Sequence, residues 1–246
     1  MTRRLINLPF SLDITEVYPF LGLDEKNLTP QIQELLLNTI HKVSLLAHPR
    51  GTYADFVVSQ VTQDRIDLVD SKLCILGQET LRHFASSSRI TLLAVTLGKQ
   101  VAAALEELSQ KKGSEALFFD AVASAATENL AEQLDSLIVG EIRRKGFFPT
   151  ARFSPGYSDW DLSWQKALVD SINGDRIGLG VTPYSLLEPI KSITAVIGWS
   201  SSPITRNYLP PNRLKPCQGT LSCAHCPLKE HCPSSFSTLD TEQQIP

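Results

Sequence analysis

Four cysteines, Cys217, Cys223, Cys226 and Cys232, fall within sixteen residues in the pattern C-x5-C-x2-C-x5-C. Thiolates this close in sequence can surround one metal ion or cluster without help from the rest of a fold. Structural zinc sites generally use two close C-x2–4-C pairs, and here there is one, Cys223 with Cys226. Prolines follow Cys226 and Cys232 in "CPLKEHCP", and a Cys-Pro step recurs in cluster-binding runs. The pattern favours a [4Fe-4S] cluster, with zinc the alternative. His225 and His231 stand beside the run, but four thiolates complete a tetrahedral set and leave both as bystanders. The fifth cysteine, Cys74, lies in the alternating stretch "SKLCILG" and reads as a small buried hydrophobe.

The second chemically pointed stretch is "RFSPGYSDWD", Arg152 to Asp161. Arg152 offers a planar fork suited to a carboxylate. Pro155-Gly156 forces a turn and brings bare backbone near whatever approaches it. Tyr157 adds a hydroxyl and an aromatic face that attracts a cation. A carboxylate, a cation and an aromatic contact together describe an amino acid or a sulfonium such as S-adenosylmethionine. From these residue types alone, an ordinary surface turn is the simpler reading.

Both stretches need elements to position them. In "LTPQIQELLLNTIHKVSLLAHPRG", Thr29 can cap a helix whose first residue is Pro30. Ile32, Leu35, Leu36, Ile40 and Val43 then recur at helical spacing. His41 and His48 fall on its face and at its end as ordinary helix residues. "YADFVVSQVTQDRIDLV" and "SKLCILG" alternate like half-buried antiparallel strands, and "RITLLAVTLG" is a more fully apolar one. A helix over "KQVAAALEELSQKKG" follows, and then a long one from Ser114 to about Lys145. Within it, "DAVASAATENLAEQLDSLI" carries five alanines and two serines, a face that permits close packing. "LSWQKALVDSI" predicts a short helix closed by Asn173-Gly174. "RIGLGVTPYSLLEP" and "KSITAVIGW" predict strands, the first with a bare face at its alternating glycines. Mixed order without repeating βα units predicts an α+β fold with an antiparallel sheet. No Gly-rich phosphate loop follows a strand.

A chain of 246 residues can bury a substantial core as one large domain or two small ones. Its 42% hydrophobic and 20% charged content is that of a soluble globular protein. With 23 Lys and Arg against 26 Asp and Glu, the net charge of -3 argues against nucleic-acid binding by a broad basic surface. The first residues lack a signal-peptide apolar run, and stretches such as "ITLLAVTLG" are too short to span a bilayer. A cytoplasmic chain away from membranes is expected.

On these residues the chain resembles the activation (reactivation) domain of vitamin B12-dependent methionine synthase, here as a stand-alone protein. That family carries an Arg-x-x-x-Gly-Tyr motif, matched by R-F-S-P-G-Y at Arg152 to Tyr157. Upstream, "DITEVYPFLGLD" resembles the family's opening segment and "ALFFDAVASAATENLAEQL" its long small-residue helix. Downstream, "IGLGVTPYSLLEPIKSITAVIGW" resembles its threonine-led turn, proline and following strand. The likeness spans roughly residues 10 to 210 through short motifs. It departs after Gly-Tyr, where the family's Pro-Asp is here Asp161-Leu162, and in a shorter linker before the motif.

The resemblance implies a helmet-like domain over 1–212, with a twisted antiparallel sheet and flanking helices, then a four-cysteine segment at 213–235 and a tail at 236–246. It implies S-adenosylmethionine held by Arg152 through the methionine carboxylate, by backbone at Ser154, Pro155 and Gly156, and against Tyr157. Tyr208 falls where the family has another ligand-contacting tyrosine; Glu128 and Glu132 are weaker candidates, with a solvated helix face the preferred reading for both. The implied role is that of the methyl-donor-binding component in reductive methylation of cobalamin, within methionine biosynthesis. Arg152 and Tyr157 would orient the ligand rather than act as acid or base. No cobalamin-binding segment is recognisable, so the corrinoid would be carried by a partner methionine synthase or corrinoid protein. The electron would come from the four-cysteine cluster, or from a donor such as flavodoxin or ferredoxin. The alternative is a reductive activator, or a non-catalytic partner, of another corrinoid methyltransferase, with the four-cysteine site redox-active or purely structural.

Anaerobic purification is expected to yield a brown protein containing iron and acid-labile sulfide, both lost on Cys226→Ser. Zinc without iron or sulfide would refute the cluster.

Overall fold

The computed structural model describes residues 3–204 except 25, 27 and 112. Tyr208, Cys217, Cys223, Cys226 and Cys232, His225 and His231, and the expected segments at 213–235 and 236–246 lie outside the described residues.

Seven strands form one antiparallel sheet: β1 (Arg3–Asn7), β2 (Arg50–Val61), β3 (Arg65–Leu68), β4 (Cys74–Leu76), β5 (Ser87–Thr96), β6 (Phe148–Pro149) and, last in sequence, the strand Ser192–Ser200. Two-residue strands β7 (Gly180–Val181) and β8 (Leu187–Glu188) pair separately, which makes Ser192–Ser200 β9. The large sheet runs β4-β3-β2-β5-β9-β6, with β1 also paired to β2. The α+β expectation with an antiparallel sheet is met. Strand β5 lies at its centre, in register with β2 from Arg50↔Thr96 to Val57↔Arg89 and with β9 from Arg89↔Trp199 to Thr96↔Ser192.

The near-continuous apolar run of β5 follows from that central place, because both of its faces are covered. Leu93 and Val95 face one core, whereas Ile90, Leu92 and Ala94 face a second. The first core is closed by α2 (Pro30–Leu46), α4 (Lys99–Gln110) and α5 (Ser114–Arg144), which follow the short helices α1 (Tyr18–Leu21) and α3 (Gln78–Phe84) in number. The second is closed by α3, by α6 (Gln165–Ser171) and by Phe153 and Trp160 from the connection after β6.

Helix α2 begins as its residues dictate: the Thr29 hydroxyl accepts the Ile32 N–H at 3.3 Å and Pro30 occupies the first position. Helix α5 runs for 31 residues, and its alanines Ala121, Ala123, Ala125, Ala126 and Ala131 are all buried. It is packed against the sheet on one side and against α2 and α4 on others. A helix hemmed in on several sides admits only small side chains at its tightest contacts.

Two expectations change, and two elements are added. The stretch "RIGLGVTPYSLLEP" is not one strand with a bare glycine face. It forms a 3-10 turn at Gly174–Ile177 closed by Gly178 at φ +77, a left-handed backbone that breaks extension, and then the small β7–β8 hairpin. Cys74 is only half-buried and hydrogen-bonds Asp67 Oδ1 at 3.2 Å. Burial pushes its thiol pKa up, with the neighbouring carboxylate adding to the effect. Helix α3 and strand β1 complete the fold without clear signals of their own: α3 is preceded by Gly77 with no side-chain cap from its own sequence.

Ala123→Leu is expected to destabilise the fold by about 1–3 kcal/mol through overpacking, measured as a lower urea midpoint at unchanged slope.

Candidate functional site

The chain leaves α5, forms β6, and returns along β9 before turning away. Phe153 and Val196 exchange backbone hydrogen bonds of 3.0 and 2.7 Å in an isolated antiparallel bridge. The Ser154 hydroxyl donates to the Thr194 carbonyl at 2.6 Å. Residues 152–154 are thereby held against the edge of β9. The chain then reverses at Pro155–Ser158, with Gly156 at φ +90 and Ser158 at φ +51. Gly156 is demanded twice over: its backbone is left-handed, and a Cβ there would lie 2.9 Å from Leu162 Cδ1. Its N–H donates to the Trp160 carbonyl at 2.7 Å and closes the loop.

Arg152, Ser154, Pro155, Gly156 and Tyr157 thus form one continuous lip. Pro155 is buried, Arg152 and Ser154 are half-buried, and Gly156 and Tyr157 are exposed. Arg152 does not project freely. Its guanidinium donates to Glu128 Oε2 at 3.0 Å and lies 3.7 Å from Glu132 Oε2. These carboxylates, four residues apart on one face of α5, are therefore not the solvated helix face preferred from sequence. They join the lip to the long helix, and their i, i+4 spacing ahead of the motif was the available signal. One arginine between two glutamates leaves an excess of negative charge, which suits a ligand carrying a cation beside its own carboxylate.

The second half of the stretch, Ser158–Asp161, anchors the lip. The Trp160 ring is 1% exposed, stacks on Phe153 with centroids 6.3 Å apart, and donates its indole N–H to the Cys74 carbonyl at 3.3 Å. Asp159 accepts the Glu79 N–H at 2.8 Å, the Thr80 hydroxyl at 2.8 Å and the Thr80 N–H at 3.2 Å. Asp161 accepts the Ser163 N–H at 2.8 Å and starts the 3-10 turn Leu162–Trp164. Burial alone would raise the Asp159 carboxyl pKa, but the bonds from Glu79 and Thr80 outweigh it and hold the group below its ordinary value.

A separate groove of about 530 Å³, lined in part by Arg3, Lys72, Trp164, Lys166 and Asp170, contains none of the lip residues. Among the described residues no cluster of three or more His, Cys, Asp or Glu side chains could hold a metal ion. No described helix is long and apolar enough to cross a membrane.

No family model matches the chain, and no curated protein matches its sequence. Among solved structures, the MetH reactivation domain bound to AdoHcy aligns with a TM-score of 0.62 and 16% identity, over 85% of this chain and 81% of that chain. The chain has the reactivation-domain fold. Identity this low speaks for the backbone path alone, so roles for the lip residues rest on their own geometry.

Because the Asp159 pKa is depressed in the folded state, its stabilisation is present above the ordinary aspartate value and is lost as pH falls through the folded value. Asp159→Asn is expected to be less stable than the parent at pH 7 by on the order of 1 kcal/mol, after discounting for partial exposure. Denaturant titrations across pH should show this gap narrowing below about pH 4.

Proposed function

We propose that this chain binds S-adenosylmethionine at the Arg152–Tyr157 lip and supports reductive methylation of cobalamin on a partner methionine synthase or corrinoid protein. The observation that carries this reading is the lip itself. In a fold shared with an AdoHcy-bound domain, an Arg-x-x-x-Gly-Tyr turn lies against two glutamates of the long helix.

In this reading Arg152 takes the methionine carboxylate through one arm of its fork, and Glu128 keeps the other in plane. Glu128 and Glu132 favour the sulfonium or the α-ammonium by charge. Backbone at Ser154, Pro155 and Gly156 can approach the ligand closely, since Gly156 presents no side chain. The exposed Tyr157 ring forms a wall at the rim, and Tyr208 supplies a further contact. None of these groups needs to move a proton; their contribution is to bind and orient the methyl donor. Cobalamin, when brought by the partner, supplies the cobalt centre that takes up an electron and the methyl group. The four-cysteine segment, Cys217 to Cys232, is the electron relay if it holds a [4Fe-4S] cluster and a structural staple if it holds zinc.

Calorimetric titration is expected to show S-adenosylmethionine binding to the parent protein, with an affinity at least tenfold lower in Arg152→Ala. No binding, or equal binding in the variant, would refute the reading.

A further inference from the structure

We propose that Asp159 is a positioning residue for this site, latching the lip to helix α3. The inference rests on the ligand reading of the lip and specifies what holds that lip in shape.

The lip has little stiffness of its own. Between Ser154 and Trp160 it is crossed by only a few backbone hydrogen bonds: Gly156 N–H to Trp160, Tyr157 N–H to Ser154 at 3.3 Å, and Trp160 N–H to Tyr157 at 3.1 Å. Gly156 takes its positive φ freely, but Ser158 at φ +51 keeps a left-handed backbone that a non-glycine residue holds only when its surroundings enforce it. Its upstream end is enforced by β9. Its downstream end is enforced by two contacts of different character. Trp160 is chiefly an apolar plug, whose burial is non-directional, with one directional tie from its indole N–H to the Cys74 carbonyl at 3.3 Å. Asp159 supplies most of the direction, through three bonds converging from two residues of α3.

Helix α3 serves both ends of the turn. Its first residues hold Asp159, and in its last turn His83 Nε2 lies 2.9 Å from the carbonyl oxygen of Ala151, immediately before Arg152. The seam is built for close approach. Gly77, just ahead of α3, has φ +97, and a Cβ on it would collide with the Asp159 carboxylate and lie 2.8 Å from its carbonyl oxygen. The dependence is mutual, because α3 has no side-chain cap from its own sequence and Asp159 satisfies two of its exposed N–H groups. Asp159 acts at a distance from the ligand, by fixing where Arg152, Gly156 and Tyr157 stand relative to Glu128.

The test titrates S-adenosylmethionine into the full chain and into Asp159→Ala, Asp159→Asn, Gly77→Ala and Thr80→Val. All are compared well below their melting temperatures, with circular dichroism verifying the fold and amide hydrogen exchange reporting on Gly156 and Tyr157. Asp159→Ala and Gly77→Ala are expected to weaken binding at least tenfold and to speed exchange at Gly156. Thr80→Val, which removes one of three bonds, should do so by a few-fold. A lower melting temperature with unchanged affinity in the folded variants overturns the positioning role. If Asp159→Ala does not fold, Thr80→Val and Asp159→Asn decide by the same criterion. Failure of the parent chain to bind overturns the ligand reading and the positioning role with it, whereas a binding parent with equally tight variants overturns only the role of Asp159.

Discussion

The approach of one long helix to the central strands sets the remaining geometry. Helix α5 lies against β5 and β9, with α2 and α4 packed around it, and its run of buried alanines determines how near these neighbours come. Interiors are close-packed, so that distance is not adjustable by small increments. It also decides the site: Glu128 and Glu132 project from α5 toward a segment paired to β9, and they reach Arg152 only because helix and strand are this close. A change of one large side chain along the helix would therefore be felt at the lip as well as in the core.

Charge and backbone conformation do separate work at the lip. The glutamates hold the Arg152 guanidinium against α5, at 3.0 Å from Glu128 and 3.7 Å from Glu132. The positive-φ residues Gly156 and Ser158 shape the turn, and Gly156 does so without adding a side chain. Neither arrangement holds itself: Ser154 is tied to Thr194, and Asp159 to the start of α3. The loop keeps its shape here by being fastened at both ends to regular structure.

Much of the architecture was legible in residue pattern. Thr29-Pro30 marked a helix start because a hydroxyl cap and a proline are satisfied by the same geometry. The apolar run of β5 marked a strand, and the structure covers it on both faces. The "IGLG" stretch misled, since alternation with glycine is compatible with an extended strand and equally with a left-handed stop; Gly178 took the second course. Helix α3 was invisible for a different reason. The group that caps it, Asp159, is about 80 positions away in sequence, and no local pattern carries that information.

The sequence by itself determined the mixed α+β class, the long small-residue helix, the Arg-x-x-x-Gly-Tyr turn and the chemistry available to four neighbouring cysteines. These follow from side-chain period, backbone freedom and ligand type, all local properties. Only the tertiary structure decided that Arg152 meets Glu128 and Glu132, and that Asp159 and Trp160 bind the turn to α3 and β4. Those contacts join residues far apart in the chain, and their distances depend on how the helices pack against one curved set of strands.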